Sequence, residues 1–203
     1  MEKIVLTNLQ KDALREIGNI CAGNAATALS QLLNKKISIT VPNIFFLSTE
    51  ELPATAGGAD ALVVGLVLRV LGDLPCIIIF IFSQKDALAF ASLMTGRKIS
   101  ENSIIGDLER SALKEIGMIL TNAYLVALSS FIGMSFVPCV PELIVDMAGA
   151  IVDYILIELS CKSKQALWID SEFHEPTTSI RGHFFIIPNP EGLKAILRTI
   201  ANS

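Results

Sequence analysis

Two acids, an amide and a glycine stand at helical spacing near the beginning of the chain. Asp12, Glu16, Asn19 and Gly23 follow one another at intervals of four, three and four residues, so an α-helix would align them along one face. Carboxylates accept hydrogen bonds and attract cations, whereas an amide donates and accepts without titrating. The spacing therefore predicts an exposed stripe that combines carboxylate and amide chemistry. The opposite side of the helix is predicted to face a sheet through apolar residues: Leu14, Ile17, Cys21, Ala25, Ala28 and Leu32.

The stripe is unfavourable for a helix that serves only to fold. Asp12 and Glu16 are like charges one turn apart, which destabilises a helix by about 0.2–0.5 kcal/mol. Gly18 and Gly23 each cost up to about 1 kcal/mol relative to alanine. However, acids and amides on an outer face usually serve only solvation, and Gly18 has a packing explanation if the helix lies close to a sheet.

Residues 9–42 recur 99 positions later, at residues 108–141. Twelve of the 34 aligned positions are identical without a gap, which predicts an internal duplication. Glu16 corresponds to Glu115, in the same register of a second predicted helix. Because a glutamate on a solvent face has no packing reason to be retained, the recurrence favours a functional role.

Turn signals and hydrophobic periodicity predict the remaining elements. A capping box at Thr7 begins the first helix, and the Gly72-Asp73 pair separates two β-branched runs. The predicted elements after the first helix are strands at 61–71 and 74–82, a helix at 84–94, strands at 155–159, 166–173 and 179–187, and a helix at 191–200.

Together these elements predict one α+β domain over residues 1–203, built from two repeats at about 1–100 and 101–203. Hairpins would pair the strands antiparallel. The sheet would pack against the two long helices that carry the motif. Because the repeats share one order of elements, we expect internal pseudo-two-fold symmetry.

Composition narrows the classes of partner. The chain has 203 residues, 52% of them apolar, and a formal charge of −4. The apolar content argues against disorder. The negative charge argues against nucleic acid, which selects basic surfaces, and against anionic membranes. We therefore expect proteins or small molecules as partners.

Cysteine and histidine usage predicts no metal or cofactor bound by this chain. Four cysteines, at positions 21, 76, 139 and 161, form no CxxC pair and no disulfide framework, and the two histidines are isolated.

The N-terminus has no apolar export signal, which predicts a cytoplasmic protein. The uncharged run at 116–141 is long enough to span a bilayer, but Asn122, Pro138 and Pro141 interrupt it. It therefore favours a buried helix over a membrane insertion.

The spacing Asp12-x3-Glu16-x2-Asn19-x22-Pro42 resembles the signature of the CheC, FliY and CheX phosphatases of bacterial and archaeal chemotaxis. The segment TGR at 95–97 and the repeated EIG extend the likeness over nearly the whole chain. The duplication and length are similar to the CheC branch of that family.

This resemblance implies hydrolysis of the aspartyl-phosphate of the response regulator CheY. Asn19 would orient the attacking water, and Glu16 would pair with the regulator's active-site lysine. Asp12 and Gly23 would contact the regulator, and Pro42 would shape the loop after the helix. The phosphorylated aspartate and its Mg²⁺ would belong to the regulator.

The second copy departs from the pattern. Ser111, Glu115 and Pro141 match, but Met118 stands where asparagine is expected. A thioether accepts hydrogen bonds weakly and donates none. The second site is therefore predicted to be inactive or nearly so, with Pro141 retaining a structural role.

Two alternatives remain open. Relatives of CheC bind the receptor deamidase CheD, so the chain could act as a non-catalytic adaptor for CheD. The segment 144–154 is a candidate exposed helix. The chain could also be a motor-switch component that retains phosphorylated CheY without hydrolysing it. A small-molecule enzyme is the weakest alternative, because the chain lacks a P-loop and a Ser/His/Asp arrangement.

Overall fold

The computed structural model describes residues 7–41, 43–101, 103–158, 165–176 and 178–201. Pro42 and Cys161, which the sequence analysis considered, lie outside these ranges, so the role predicted for Pro42 stays a prediction.

The first half of the chain begins with a long helix at the predicted position. Thr7 caps it: the Gln10 backbone nitrogen donates to Thr7 Oγ1 at 3.3 Å, and the Thr7 nitrogen donates to Gln10 Oε1 at 2.9 Å. The elements of this half are α1 (Asn8–Leu33), β1 (Ser38–Thr40), β2 (Ile44–Ser48), a 3-10 turn (Thr49–Glu51), α2 (Leu52–Thr55), β3 (Leu62–Gly72), β4 (Cys76–Ser83) and α3 (Gln84–Thr95).

The second half follows the same order of elements. Its helix α4 (Asp107–Ile132) begins and ends 99 residues after α1, which is the offset of the sequence repeat. The other elements are β5 (Phe136–Pro138), β6 (Glu142–Met147), α5 (Ala148–Glu158), β7 (Gln165–Glu175), β8 (Thr178–Pro188) and α6 (Pro190–Ala201).

The eight strands of the described ranges join one antiparallel sheet, with the path β1-β7-β8-β4-β3-β5. The predicted hairpins β3–β4 and β7–β8 form, and β4 pairs with β8 at the centre. β1 and β2 pair with β7 of the other half, and β5 and β6 pair with β3. Because the halves exchange strands in this way, neither builds a separate sheet. The α+β class predicted from the sequence is confirmed.

The central strands bury both faces, which explains their uninterrupted apolar sequences. In β4, Ile78, Phe80 and Phe82 belong to the large core beneath α1, α3 and α4. Their neighbours Ile77 and Ile79 belong to a smaller core on the opposite face, where α5 packs. Successive strand side chains point to opposite faces, so the two cores alternate along one strand.

Three expectations about local structure were wrong. The strand predicted at 155–159 is the end of helix α5, because an aliphatic run of this length suits either element. Ile151 and Ile155, one turn apart, pack in the smaller core, so α5 is not the exposed helix that the sequence suggested for 144–154. Leu32, predicted on the buried side of α1, is 44% exposed near the helix end.

Within the described ranges, α4 is long and apolar enough to cross a membrane by length and composition alone. Its apolar side chains are nevertheless used inside the protein. Leu113, Ile116, Leu120 and Tyr124 are almost fully buried in the large core, and the Tyr124 hydroxyl lies 3.1 Å from Ser171 Oγ. α4 therefore behaves as the buried core helix that the sequence analysis favoured.

A half-buried histidine–aspartate pair lies across β7 and β8. His183 Nδ1 lies 3.3 Å from Asp170 Oδ1, but neither atom has a partner in hydrogen-bond geometry. Burial lowers the pKa of His183, although the nearby Asp170 carboxylate opposes this shift. Neutral histidine is therefore the favoured form in the folded protein.

This pair predicts that stability declines in mild acid. As the pH falls through about 6.5, the usual histidine pKa, the unfolded chain takes up a proton that folded His183 resists, so the free energy of unfolding decreases. Urea denaturation at pH 8 and pH 5.5 measures the loss, and His183→Gln should reduce it. An equal loss in wild type and variant would assign the pH dependence to other groups.

Candidate functional site

The predicted polar stripe lies on the surface of α1. Asp12, Glu16, Asn19 and Gly23 are all exposed. The opposite side of the helix is buried in the large core through Leu14, Ile17, Cys21 and Ala25. The placement of the stripe follows from helical periodicity alone, and this part of the sequence analysis is confirmed.

The side chains of Glu16 and Asn19 have no interaction partner among the described residues. Throughout the described chain, neither side chain makes a hydrogen bond or an ion pair with another residue. An unpaired carboxylate and an unpaired amide one turn apart can together contact a cation, an oxyanion or a water molecule. Neither group needs to break an internal contact first.

Two exposed apolar side chains accompany the stripe. Leu9 is 64% exposed and Ile20 is 48% exposed. At 100° per residue they fall, with the four polar residues, within an arc of about 100°. The sequence analysis did not assign them a role. The sequence did contain a signal for such a role, because both positions keep the same residue in the second repeat, as Leu108 and Ile119.

The repeated glycines have a packing explanation. A Cβ on Gly18 would lie 3.4 Å from Ile44 Cδ1 and from Val41 Cγ1, and one on Gly117 would lie 3.0 Å from Leu66 Cδ1. Both glycines therefore let a long helix approach its neighbours closely. Their recurrence says nothing about function, and the case for a functional stripe depends on the exposed residues.

The corresponding stripe of α4 has a different composition. Ser111 and Glu115 are exposed, and Met118 is half-buried. Ser111 and Glu115 line one groove with Thr95 and Arg97 from the end of α3 and its following loop. The TGR segment thus lies beside the second stripe.

A second groove runs between the two long helices. It is lined by Asn24, Thr27 and Gln31 of α1 and by Asn122 and Val126 of α4, among others. The sequence analysis gave these amides no role, since it treated each helix alone. Pro141, for which a structural role was predicted, is buried between β5 and β6.

Cys21 is unsuited to nucleophilic chemistry. It is buried on the core side of α1, and burial raises its pKa to about 12. Its thiol donates to the Tyr124 carbonyl oxygen at 3.7 Å. Among the described residues, no group of three or more His, Cys, Asp or Glu side chains is arranged to hold a metal ion.

The fold and the stripe define an α+β protein with an exposed acid–amide face on its first long helix. The sequence profile of the CheC-like family matches residues 9–45. The CheY-P phosphatase CheC of Bacillus subtilis is 35% identical over 198 residues, covering 96% of this chain and 95% of the relative. The putative CheY-P phosphatase CheC1 of Halobacterium salinarum is 25% identical, covering 92% and 94%. The chain belongs to the CheC-like family.

Solved structures extend the likeness to the fold. The crystal structure of Thermotoga maritima FliY aligns with a TM-score of 0.78 over 98% of this chain and 99% of that chain. Their sequence identity is 20%, so this match supports the architecture alone.

Proposed function

We propose that this chain dephosphorylates the aspartyl-phosphate of the response regulator CheY. The observation that carries the proposal is the exposed, unpaired Glu16–Asn19 pair on α1, within the segment that matches the family profile. The B. subtilis relative, which aligns along nearly its whole length, is named as a phosphatase of CheY-P.

Asn19 is the proposed water-orienting residue. Hydrolysis of an acyl phosphate proceeds in line through a loose transition state, so positioning the water matters more than a strong base. The amide oxygen accepts a hydrogen bond from the water, and the NH₂ group donates to a neighbouring oxygen. A carboxylate at this position would repel the anionic phosphoryl group.

Glu16 has the complementary task of holding the regulator. Its carboxylate would pair with a lysine at the regulator's active site, and charge-assisted hydrogen bonds of this kind are short and directional. The regulator would supply the phosphorylated aspartate and the Mg²⁺ that neutralises it, so this chain needs no metal ligand for the reaction.

The remaining residues of the stripe would form the docking surface. Leu9 and Ile20 offer apolar contact along one edge of the polar groups, and Asp12 adds a second carboxylate. Gly23 leaves open space, because a Cβ there would meet no atom within 4 Å. A partner backbone can approach such a position closely.

The test is the decay of phosphorylated CheY from the same organism, measured with and without this protein. Accelerated decay supports the phosphatase. Binding without acceleration would support the motor-switch alternative, in which phosphorylated CheY is retained. If the protein neither binds phosphorylated CheY nor accelerates its decay, CheY is not the substrate.

The second stripe is proposed to be a degraded site, and Met118→Asn should partly restore it. The substitution places an amide one turn after Glu115, as in α1. We expect the acceleration of CheY-phosphate decay to rise up to about twofold, because two equivalent sites give twice the rate of one. Met118→Leu is the matched control. No gain from asparagine would show that the second stripe lacks more than the amide.

An adaptor function, in which this chain binds CheD, stays a prediction. We expect both the phosphatase activity and any CheD binding to take place in the cytoplasm. CheD binding is best measured directly with purified CheD, because Asn19→Ala should leave an adaptor surface intact while removing hydrolysis. This separates the adaptor from the enzyme.

A further inference from the structure

A basic groove runs along α3 and shares no residue with the Glu16–Asn19 stripe, although Arg97 also borders the groove of the second stripe. It is lined by Lys35 after α1, Lys85 at the start of α3, and Arg97 and Lys98 after its end. Leu88, Ala89, Leu93 and Ile99 also line it, and Ser92 and Ser179 add hydroxyl groups. In a chain of net charge −4, four cations around one groove are a marked local excess.

The two carboxylates in the groove are already engaged. Asp86 Oδ2 accepts from the Ser83 hydroxyl at 2.5 Å, and Asp86 Oδ1 accepts from the Arg181 backbone nitrogen at 3.2 Å. Glu101 Oε1 lies 3.2 Å from Lys85 Nζ. Glu175, outside the lining, pairs with Lys35, so four cations face three carboxylates and the groove keeps a small positive excess.

Arg97 and Lys98 are the cations that remain available. Lys35 pairs with Glu175 at 3.3 Å, and Lys85 pairs with Glu101. Arg97 and Lys98 are exposed, and in the described chain neither forms an ion pair. Their charges therefore face solvent beside an apolar floor.

The helix dipole does not account for this arrangement. Cations are favourable near the C-terminus of a helix, which would explain Arg97 and Lys98 alone. Lys85, however, is the second residue of α3, where the dipole disfavours a cation. Lys35 belongs to a different element and has no relation to the dipole of α3. The cations share the groove, which suggests a common ligand.

The length of the groove indicates the kind of ligand. α3 has 12 residues and is therefore about 18 Å long, with cations at both of its ends. An extended peptide rises about 3.3 Å per residue, so about six residues would span the distance. A compact phosphate-bearing molecule would reach only one end.

We propose that this groove binds a short acidic segment of a partner protein, with acidic residues at its two ends and apolar residues between them. The acidic residues at one end would meet Arg97 and Lys98. Those at the other end would meet Lys85, whose ion pair with Glu101 is exposed on both sides and therefore weak. The apolar residues would lie on Ala89, Leu93 and Ile99, which are half-buried. This interaction is independent of the Glu16–Asn19 stripe and of the proposed hydrolysis.

The test uses a fluorescein-labelled hexapeptide of one-letter sequence DELLED, with fluorescence polarisation of the full chain at low and high salt. We expect saturable binding that weakens as salt rises, because exposed charges are screened. The double variant Arg97→Glu/Lys98→Glu should weaken binding at least about tenfold, the equivalent of 1.4 kcal/mol. Lys36→Glu, at another exposed position and outside the groove, is the control.

Each outcome decides the proposal. Loss of binding in the double variant with retention in Lys36→Glu supports it. Equal binding by the double variant, equal loss in the control, or no binding at millimolar peptide would overturn it. Displacement of the peptide by millimolar inorganic phosphate would also overturn it, in favour of a small phosphate-bearing ligand. Because all these substitutions are at exposed positions, thermal denaturation should report unchanged folding.

Discussion

Asn19→Ala is expected to reduce the acceleration of CheY-phosphate decay about 100-fold, because misplacing a reactant costs a factor of this size. The attacking water would lose the acceptor that orients it, while the regulator could still dock through Glu16, Leu9 and Ile20. The decay rate of CheY-phosphate at saturating concentrations of the variant should therefore fall. The concentration of variant that gives half of its maximal effect should change little. Measuring decay over a range of variant concentrations separates these two quantities.

Stability provides the check on this interpretation. Asn19 is exposed and has no internal partner, and alanine has a higher helix propensity, so Asn19→Ala should unfold at the same or a slightly higher temperature. Asn24→Ala, at another exposed position of α1, is the matched control and should keep most activity. If Asn19→Ala retains substantial activity, or if both variants lose it equally, Asn19 does not orient the water.

The stripe could be predicted from sequence because it depends only on local geometry. An amphipathic helix with a capping box fixes which residues point outward, whatever the rest of the chain does. The hairpin between β3 and β4 is local for the same reason, since its turn signal stands between the paired strands. The exposed positions of Asp12, Glu16, Asn19 and Gly23 and the antiparallel pairing of this hairpin were accordingly predicted correctly.

Features that depend on distant partners were not predictable. α5 is a helix because it covers one face of β3, where a Cβ on Gly65 would lie 2.9 Å from Ile151 Cδ1, and no local signal specifies that approach. The exchange of strands between the halves involves pairs more than 100 residues apart, such as Ile44 with Ile169. The basic groove likewise combines Lys35 with Arg97, which lie far apart in sequence.

Gly182→Ala is expected to cause the largest loss of stability among the substitutions considered. Gly182 of β8 pairs with Phe82 of β4, and a Cβ at this glycine would lie 2.3 Å from Phe82 Cε1. The Phe82 ring cannot move away easily, because it is 1% exposed and packs against Phe90 and Phe173, with centroids at 5.4 and 6.4 Å. Overpacking of this kind costs up to about 3 kcal/mol, equivalent to about 9 °C in Tm for a chain of this size.

Gly23→Ala is the matched control for this experiment, because both changes add one methyl group. At Gly23 the methyl meets nothing within 4 Å, and alanine favours the helix by up to about 1 kcal/mol, so its Tm should rise slightly. Thermal denaturation of both variants beside wild type measures the contrast. A wild-type Tm for Gly182→Ala would mean that the aromatic cluster has room to rearrange. Because Phe82 shares the large core with Leu14 and Ile17, such freedom would also leave the buried side of α1, and hence the stripe on its other side, less rigidly supported.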